Sequence, residues 1–238
     1  RDAEDDETVD ERTGLTYKKL CEKVNVEGTK NIADASLEVG AKLVYMSTDY
    51  VFDGTKEGLY TEEDQPNPKS VYGETKFKGE EEVRRNPNHF ITRISWVFGI
   101  NGNNFIKTML KLSDKYKELT VVDDQVGSPT YTPDVSRLLV DLVNTDKYGT
   151  YNGTNENYCS WAEFARKIFE VNNKKTIVKG VTTEEYYRGK KIAKRPLNSK
   201  LSKNKVRRNA THKIAFEKKE NTKVNNMLNH TTTGTLNF

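Results

Sequence analysis

Residues 42 to 46 read Lys42-Leu43-Val44-Tyr45-Met46, and the chain then turns abruptly polar at Ser47-Thr48-Asp49. A short apolar run without alternation is what a strand covered on both faces of a parallel sheet requires. The flanking sequence fits that reading. Upstream, Leu20, Val24, Ile32, Ala35 and Val39 recur at mostly helical spacing, and Gly40 supplies a left-handed stop. Downstream comes a loop rich in Gly, Glu, Asp and Pro over 53–68, then a predicted helix over 71–85 that Asn86-Pro87 breaks, then a second strand over 89–95. Helix alternating with apolar strand predicts an α/β domain whose parallel strands are joined by helical crossovers.

The second half predicts a smaller α+β region. A helix is expected over 104–116, a short strand over 119–122, and after a Gly/Pro loop a helix that opens at Pro133. Ser160-Trp161-Ala162-Glu163 and Thr182-Thr183-Glu184-Glu185 both have the capping-box pattern that starts a helix. After about Lys205 the chain becomes rich in Asn, Thr and Lys and loses periodicity, so order is expected to end there. The expected division is therefore 1–118, the main α/β domain, 119–205, mainly the second region with part returning to the first sheet, and 206–238, a disordered or aberrant tail.

Charge and composition exclude several classes. Hydrophobic residues make up 34% of the 238, low for a globular chain, which fits a poorly packed part. The formal net charge of +4 divides into +7 from Lys200 onward and −3 before it. That basic end has no aromatic interleaving and almost no apolar periodicity, so it reads as solvated chain and no nucleic-acid partner is expected. No window nears 18 consecutive apolar residues and the acidic N-terminus has no signal-peptide pattern, so the expectation is a cytoplasmic protein with no membrane partner. Cys21 and Cys159 lie far apart without CxxC spacing, so neither disulfide framework nor metal site is expected. The missing initiator Met reads as the mark of a fragment.

Chemistry concentrates around Tyr72-Gly73-Glu74-Thr75-Lys76. At i and i+4 on one helix, Tyr72 and Lys76 share a face, and a nearby ammonium favours the phenolate, drawing the tyrosine towards neutral-pH proton transfer. The spacing alone is weak, because Tyr186 with Lys190 and Tyr187 with Lys191 repeat it in plain polar sequence. Thr48 supplies the independent support. It follows the buried strand, where the carboxyl ends of strands in open α/β sheets gather catalytic groups. Thr48 is placed to hydrogen-bond a substrate carbonyl, Tyr72 to protonate it, and Lys76 to tune Tyr72 and hold a ribose hydroxyl.

Four longer motifs accompany these residues: Ser47-Thr48-Asp49-Tyr50-Val51-Phe52-Asp53-Gly54; Tyr72 to Lys76 with Gly79-Glu80; Arg93-Ile94-Ser95-Trp96-Val97-Phe98-Gly99; and Asp124-Gln125-Val126-Gly127-Ser128-Pro129-Thr130. With Arg195-Pro196-Leu197-Asn198-Ser199, they resemble the dTDP-4-dehydrorhamnose reductases, a family of extended short-chain dehydrogenase/reductases, over about residues 2–205. The resemblance implies a Rossmann-like parallel sheet with a smaller substrate-binding region. It also implies reduction of the C4 ketone of dTDP-4-dehydro-L-rhamnose by NADPH or NADH. Thr48, Tyr72 and Lys76 would be the catalytic triad, with Tyr72 the proton donor and Tyr72 and Lys76 meeting the cofactor. Thr48 and Asp49 would contact the dTDP-sugar, Tyr50 would tune Tyr72, and Trp96 would pack against the substrate. Asn25 resembles the helix asparagine that orders a proton-relay water in many short-chain reductases, although an Asn within a helix also marks a bend. The resemblance leaves the oligomeric state open, a homodimer being one option. The alternative is a non-catalytic regulatory subunit similar to that of methionine adenosyltransferase, disfavoured by the intact Tyr72/Lys76 pair, Trp96 and Asp124-Gln125.

Two departures from the family qualify these expectations. None of the 15 glycines forms the strand-turn-helix fingerprint that lets a backbone approach a pyrophosphate, so the first strand-helix units of the sheet are expected to be missing. Residues 206–238 look unrelated to the family. An incomplete parallel sheet would expose an apolar edge, and the chain is expected to bind the cofactor poorly or not at all.

Overall fold

The computed structural model describes residues 2–189 and 193–210. After a 3-10 turn over Asp2–Glu4 and a Val9–Thr16 bridge, a helical rod begins at Tyr17. Helix α1 (Tyr17–Glu22) is capped by Thr16, whose side chain accepts the Lys19 amide, and passes through a π-helical stretch, Lys23–Gly28, into α2 (Thr29–Glu38). Gly40, at φ +65°, ends it as expected. Strand β1 (Leu43–Thr48) follows, then a 3-10 turn over Asp49–Val51 and, after the polar loop, α3 (Val71–Arg84), capped by the Ser70 side chain. Strands β2 (His89–Ile94) and β3 (Val97–Phe98) lead to α4 (Phe105–Ser113) and β4 (Glu118–Val122). The short strands β5 (Val126–Gly127) and β6 (Thr130–Tyr131) precede α5 (Thr132–Val143) and β7 (Gly149–Asn152). Last come β8 (Cys159–Ser160), α6 (Trp161–Val171), β9 (Ile177–Val181), α7 (Thr183–Tyr187) and α8 (Asn204–Asn209). Both expected capping boxes are formed, at Ser160 with Glu163 and at Thr182 with Glu185.

The main sheet has the order β1-β2-β7, all parallel, with Leu43 opposite His89, Thr48 opposite Ile94 and Phe90 opposite Gly149. Strand β7 thus returns from the second half to the first sheet. The second half builds its own core from α4, α6 and the parallel β4/β9 pair, where Ile106, Val121, Phe164 and Ile168 meet.

Three expectations need correction. Strand β1 is not buried on both faces: among the described residues only β2 pairs with it, and Leu43 to Met46 are half-buried, because β1 is the edge of the sheet. The rod does not bury its large apolar residues either. Val24 and Ile32 are 61% and 60% exposed, and the rod packs instead through small residues such as Ala33 and Ser36. Gly79 of α3 permits that approach, since a Cβ there would lie 2.7 Å from the Asn25 carbonyl oxygen and 2.3 Å from the Tyr45 hydroxyl. Order also continues past Lys205. Val206 of α8 is buried against Phe90, Leu138, Leu142 and Tyr151, an anchor with too little sequence around it to show a period. The rest of the expected tail, from residue 211, lies outside the described residues.

Candidate active site

The carboxyl end of β1 carries the first part of the site. Thr48 ends the strand and caps the following turn, its side-chain oxygen accepting the Tyr50 amide at 3.2 Å. Its hydroxyl donates to Asp49 Oδ1 at 3.1 Å. Asp49 is buried, and its other oxygen accepts the Ser199 hydroxyl at 2.6 Å. Burial pushes the Asp49 carboxyl up to about 6, against the opposing pull of the Ser199 and Thr48 hydroxyls and the Arg195 charge.

Helix α3 brings Tyr72 and Lys76 to the same place. The Tyr72 ring stands edge-on to Tyr50, centroids 5.7 Å apart at 79°. That approach depends on Gly73, where a Cβ would fall 2.2 Å from the Tyr50 carbonyl oxygen. The Tyr72 ring edge reaches solvent, yet desolvation of its hydroxyl raises the pKa, with the Asp49 charge adding to the rise and Thr48 opposing it. This corrects the expectation of a phenol drawn towards neutrality. The reason is the place of the ammonium: Lys76 Nζ stands 4.0 Å from the centre of the Tyr45 ring. Desolvation lowers Lys76 to about 8, with Glu80 acting against it. Asn25 lies in the π-helical stretch and donates to Thr75 Oγ1 at 3.1 Å and Cys21 Sγ at 3.3 Å, tying the rod to the Tyr72 turn.

Trp96 belongs to the second half of the site. It adopts φ +49°, a left-handed conformation rare outside glycine, and stacks on Trp161 at 3.6 Å and 14°. Gly127 lies against it: a Cβ there would meet the Trp96 ring at 3.0 Å and Ser199 Cβ at 3.2 Å. Ser199 is held in turn by main-chain bonds, its amide donating to the Val126 carbonyl at 2.7 Å while Val126 N donates to Leu197 O at 2.8 Å. Asp124 accepts the Thr183 amide, and Gln125 Nε2 donates to the Thr183 hydroxyl at 3.0 Å. Residues 124–127 and 197–199 are thereby joined beside the end of β1.

Beneath the site Glu80 and Arg93 form a buried pair, 0% and 1% exposed, with Nε to Oε1 at 2.9 Å and Nη2 to Oε2 at 2.7 Å. Ser47 donates to Glu80 Oε1 at 2.5 Å and Arg84 to Oε2 at 2.8 Å. The pair therefore ties α3 to the ends of β1 and β2, fixing Tyr72 relative to Thr48.

Thr48, Asp49, Tyr50 and Tyr72 come together, with Lys76 and Asn25 on the flank of α3 and Trp96 across the Ser199 segment. Lys190 and Lys191, of the repeated Tyr/Lys spacing, lie outside the described residues. Sequence reasoning missed Tyr45 as the seat of Lys76, although an aromatic residue three before Thr48 on one strand was a usable signal. It also gave Ser199 no role, since a serine 150 positions from Asp49 carries no local pattern.

A parallel sheet with helical crossovers and polar groups at the carboxyl end of an apolar strand defines a Rossmann-like α/β protein. Within that class the chain belongs to the RmlD substrate binding domain family, whose model matches residues 16–232 and so runs beyond the expected limit near 205. It is 44% identical over 180 residues to the spore coat polysaccharide biosynthesis protein SpsK of Bacillus subtilis, covering 75% of this chain and 62% of that protein. It is 40% identical over 196 residues to a dTDP-4-dehydrorhamnose reductase of Aggregatibacter actinomycetemcomitans, covering 77% of this chain and 66% of that enzyme. The chain thus spans slightly less than two thirds of these relatives. Among solved structures, a dTDP-4-dehydrorhamnose reductase of Clostridium acetobutylicum superposes with a TM-score of 0.82 at 42% identity, over 90% of this chain and 74% of that one. The Bacillus anthracis enzyme, in complex with NADP, gives 0.82 at 41% identity with the same coverage.

Proposed function

We propose that this chain carries the catalytic and substrate-side part of a reductase that converts the C4 ketone of dTDP-4-dehydro-L-rhamnose to the alcohol of dTDP-L-rhamnose. The observation that carries the reading is the meeting of Thr48, at the end of β1, with Tyr72, on the first turn of α3, in a chain 40% identical to a reductase of that name. Residues 1–118 would supply the catalytic groups, and 119–205 most of the sugar-nucleotide site, with β7 returning to the sheet.

Reduction of a ketone consumes a proton, so its acid must be protonated at neutral pH. The raised Tyr72 pKa meets that need, and Tyr72 would give its proton to the C4 oxygen while Thr48 orients that oxygen. Tyr50, edge-on to Tyr72, limits the water around the phenol and so tunes it. Trp96 offers the sugar an apolar wall, fixed from behind by Trp161. NADPH or NADH, when bound, supplies the hydride. Tyr72 and Lys76 suit its ribose, and Asn25 suits a water that returns the proton. No glycine among the described residues forms a strand-turn-helix cradle for its pyrophosphate, so cofactor affinity is expected to be weak.

The test is product formation by the 238-residue chain with dTDP-4-dehydro-L-rhamnose and a large excess of NADPH, with dTDP-L-rhamnose followed by chromatography. Turnover that saturates only far above micromolar NADPH and disappears in Tyr72→Phe is expected. Absence of turnover while the dTDP-sugar is bound would refute the catalytic reading. Micromolar NADPH binding would refute the weak-cofactor expectation.

A further inference from the structure

The Thr48 hydroxyl has one proton and two lone pairs. Here the proton goes to Asp49 Oδ1 and one lone pair takes the Tyr50 amide. The hydroxyl then has one lone pair and no proton left for a further partner, whereas a phenolate at Tyr72 is only an acceptor. A ketone oxygen is also only an acceptor, and Thr48 in this state has nothing to donate to it. Proton placement on Asp49 changes that. A neutral Asp49 donates through Oδ1 to Thr48, and the Thr48 proton turns outward to the site.

Asp49 is suited to such control by its surroundings. It is 3% exposed, so solvent does not compete for its oxygens. Oδ2 is held by Ser199, itself 3% exposed and fixed by its main-chain bond to Val126, so the carboxyl group cannot rotate away from Thr48 without breaking a second bond. We propose that Asp49 is a positioning residue that sets the direction of the Thr48 hydroxyl, with Ser199 as the latch that holds its carboxyl group in place. The proposal rests on the reading of Thr48 and Tyr72 given above. It assigns Asp49 an action through Thr48, in addition to the contact with the sugar nucleotide that the resemblance implies. The charged and titratable groups that face Asp49 are Arg195, which favours the carboxylate, and Tyr50 and Tyr72, whose phenolates its charge disfavours. Burial moves the Asp49 carboxyl to about 6, so both orientations of Thr48 are reachable near neutral pH. The step is a proton exchange only: Asp49 gains its proton from solvent, and no other bond is made or broken.

Ketone and alcohol ligands should then respond to pH in opposite senses. An alcohol can donate to the Thr48 lone pair and prefers ionised Asp49, whereas a ketone prefers neutral Asp49. The first arm of the test needs no ligand. With 13C at the Tyr ring Cζ and the Asp carboxyl carbon, the Asp49 resonance and the Tyr72 resonance (assigned with Tyr72→Phe) should titrate with one midpoint near pH 6. Ser199→Ala should move that midpoint up by about one unit, the loss of one hydrogen bond to a charged group. Thr48→Val, which removes the donor to Oδ1, should move the Asp49 midpoint up in the same way, and Thr48→Ser should restore it. An Asp49 midpoint unmoved by Thr48→Val or by Ser199→Ala would overturn the proposal. The second arm is the affinity of dTDP-L-rhamnose relative to dTDP. It should rise several-fold from pH 5 to pH 7.5 in the wild type and stay flat in Asp49→Asn, and a flat wild-type ratio would contradict the proposal. If the Asp49 midpoint shifts as described and neither nucleotide binds, the positioning role stands and the dTDP-sugar reading fails.

Discussion

Replacing Glu80 by Gln should cost this protein a large part of its stability, although the change is nearly isosteric and lies under the site. Glu80 and Arg93 are both sealed from water, and the carboxylate receives two guanidinium bonds, a Ser47 hydroxyl and Arg84. One Arg93 nitrogen, Nη1, already has no hydrogen-bond partner. Removing the negative charge leaves the guanidinium buried and poorly compensated, which typically costs about 3–5 kcal/mol. Gln retains one acceptor, so about 3 kcal/mol is the expected loss, a substantial share of a total of about 5–15 kcal/mol. Urea unfolding followed by tryptophan fluorescence is the assay, since the only two tryptophans, Trp96 and Trp161, stack on each other in the site. The pH sign follows from the depressed Glu80 pKa. Its contribution is fully present above the unfolded value of 4.5 and fades as pH falls through the folded one, so wild type and Glu80→Gln should converge in acid. The double variant Glu80→Leu/Arg93→Met, which removes both charges, should recover most of the loss. A loss below about 1 kcal/mol for Glu80→Gln, with an unchanged denaturant slope, would refute the reasoning.

Two further outcomes follow from the same contacts. Lys203 is buried, donates to Ser128 Oγ at 2.9 Å, stands 3.5 Å over the Tyr158 ring, and is lowered to about 7 chiefly by desolvation. The unfolded chain binds the proton more tightly, so stability should rise as pH climbs from about 7 towards 10.5, and Lys203→Met should flatten that rise in thermal unfolding. Gly73→Ala places a methyl against the Tyr50 carbonyl and should destabilise by about 1–3 kcal/mol in the same urea assay, whereas an unchanged midpoint would contradict the close packing of Tyr50 and Tyr72.

What could be read in the sequence was local. The polar stop after Met46, the helix start that bears Tyr72 and the capping boxes at Ser160 and Thr182 each sit within a few residues of their cause, and each is found where expected. The apolar run of β1 did not itself say how many neighbours the strand meets, and its place at the sheet edge followed only from the absent glycine fingerprint, which led to the expectation of an exposed apolar edge. Lys76 was assigned to Tyr72 on helical spacing, yet the Tyr45 ring, supplied by another element, claims its ammonium. The bond between Ser199 and Asp49 closes a loop of 150 residues, and two small polar side chains leave no periodic trace of it. The burial of Val206 is of the same kind, one apolar residue in a polar stretch finding a core built elsewhere.

The most direct measurement is calorimetric titration of the 238-residue chain, without cofactor, by dTDP-L-rhamnose, dTDP and UDP-glucose in turn. The account expects dTDP-L-rhamnose to bind more tightly than dTDP, the sugar's increment to fall in Tyr72→Phe and Thr48→Val, and UDP-glucose to bind far more weakly. Equal affinity for dTDP and dTDP-L-rhamnose, or a preference for UDP-glucose, would contradict the assignment of Thr48, Tyr72 and Trp96 to a dTDP-rhamnose site.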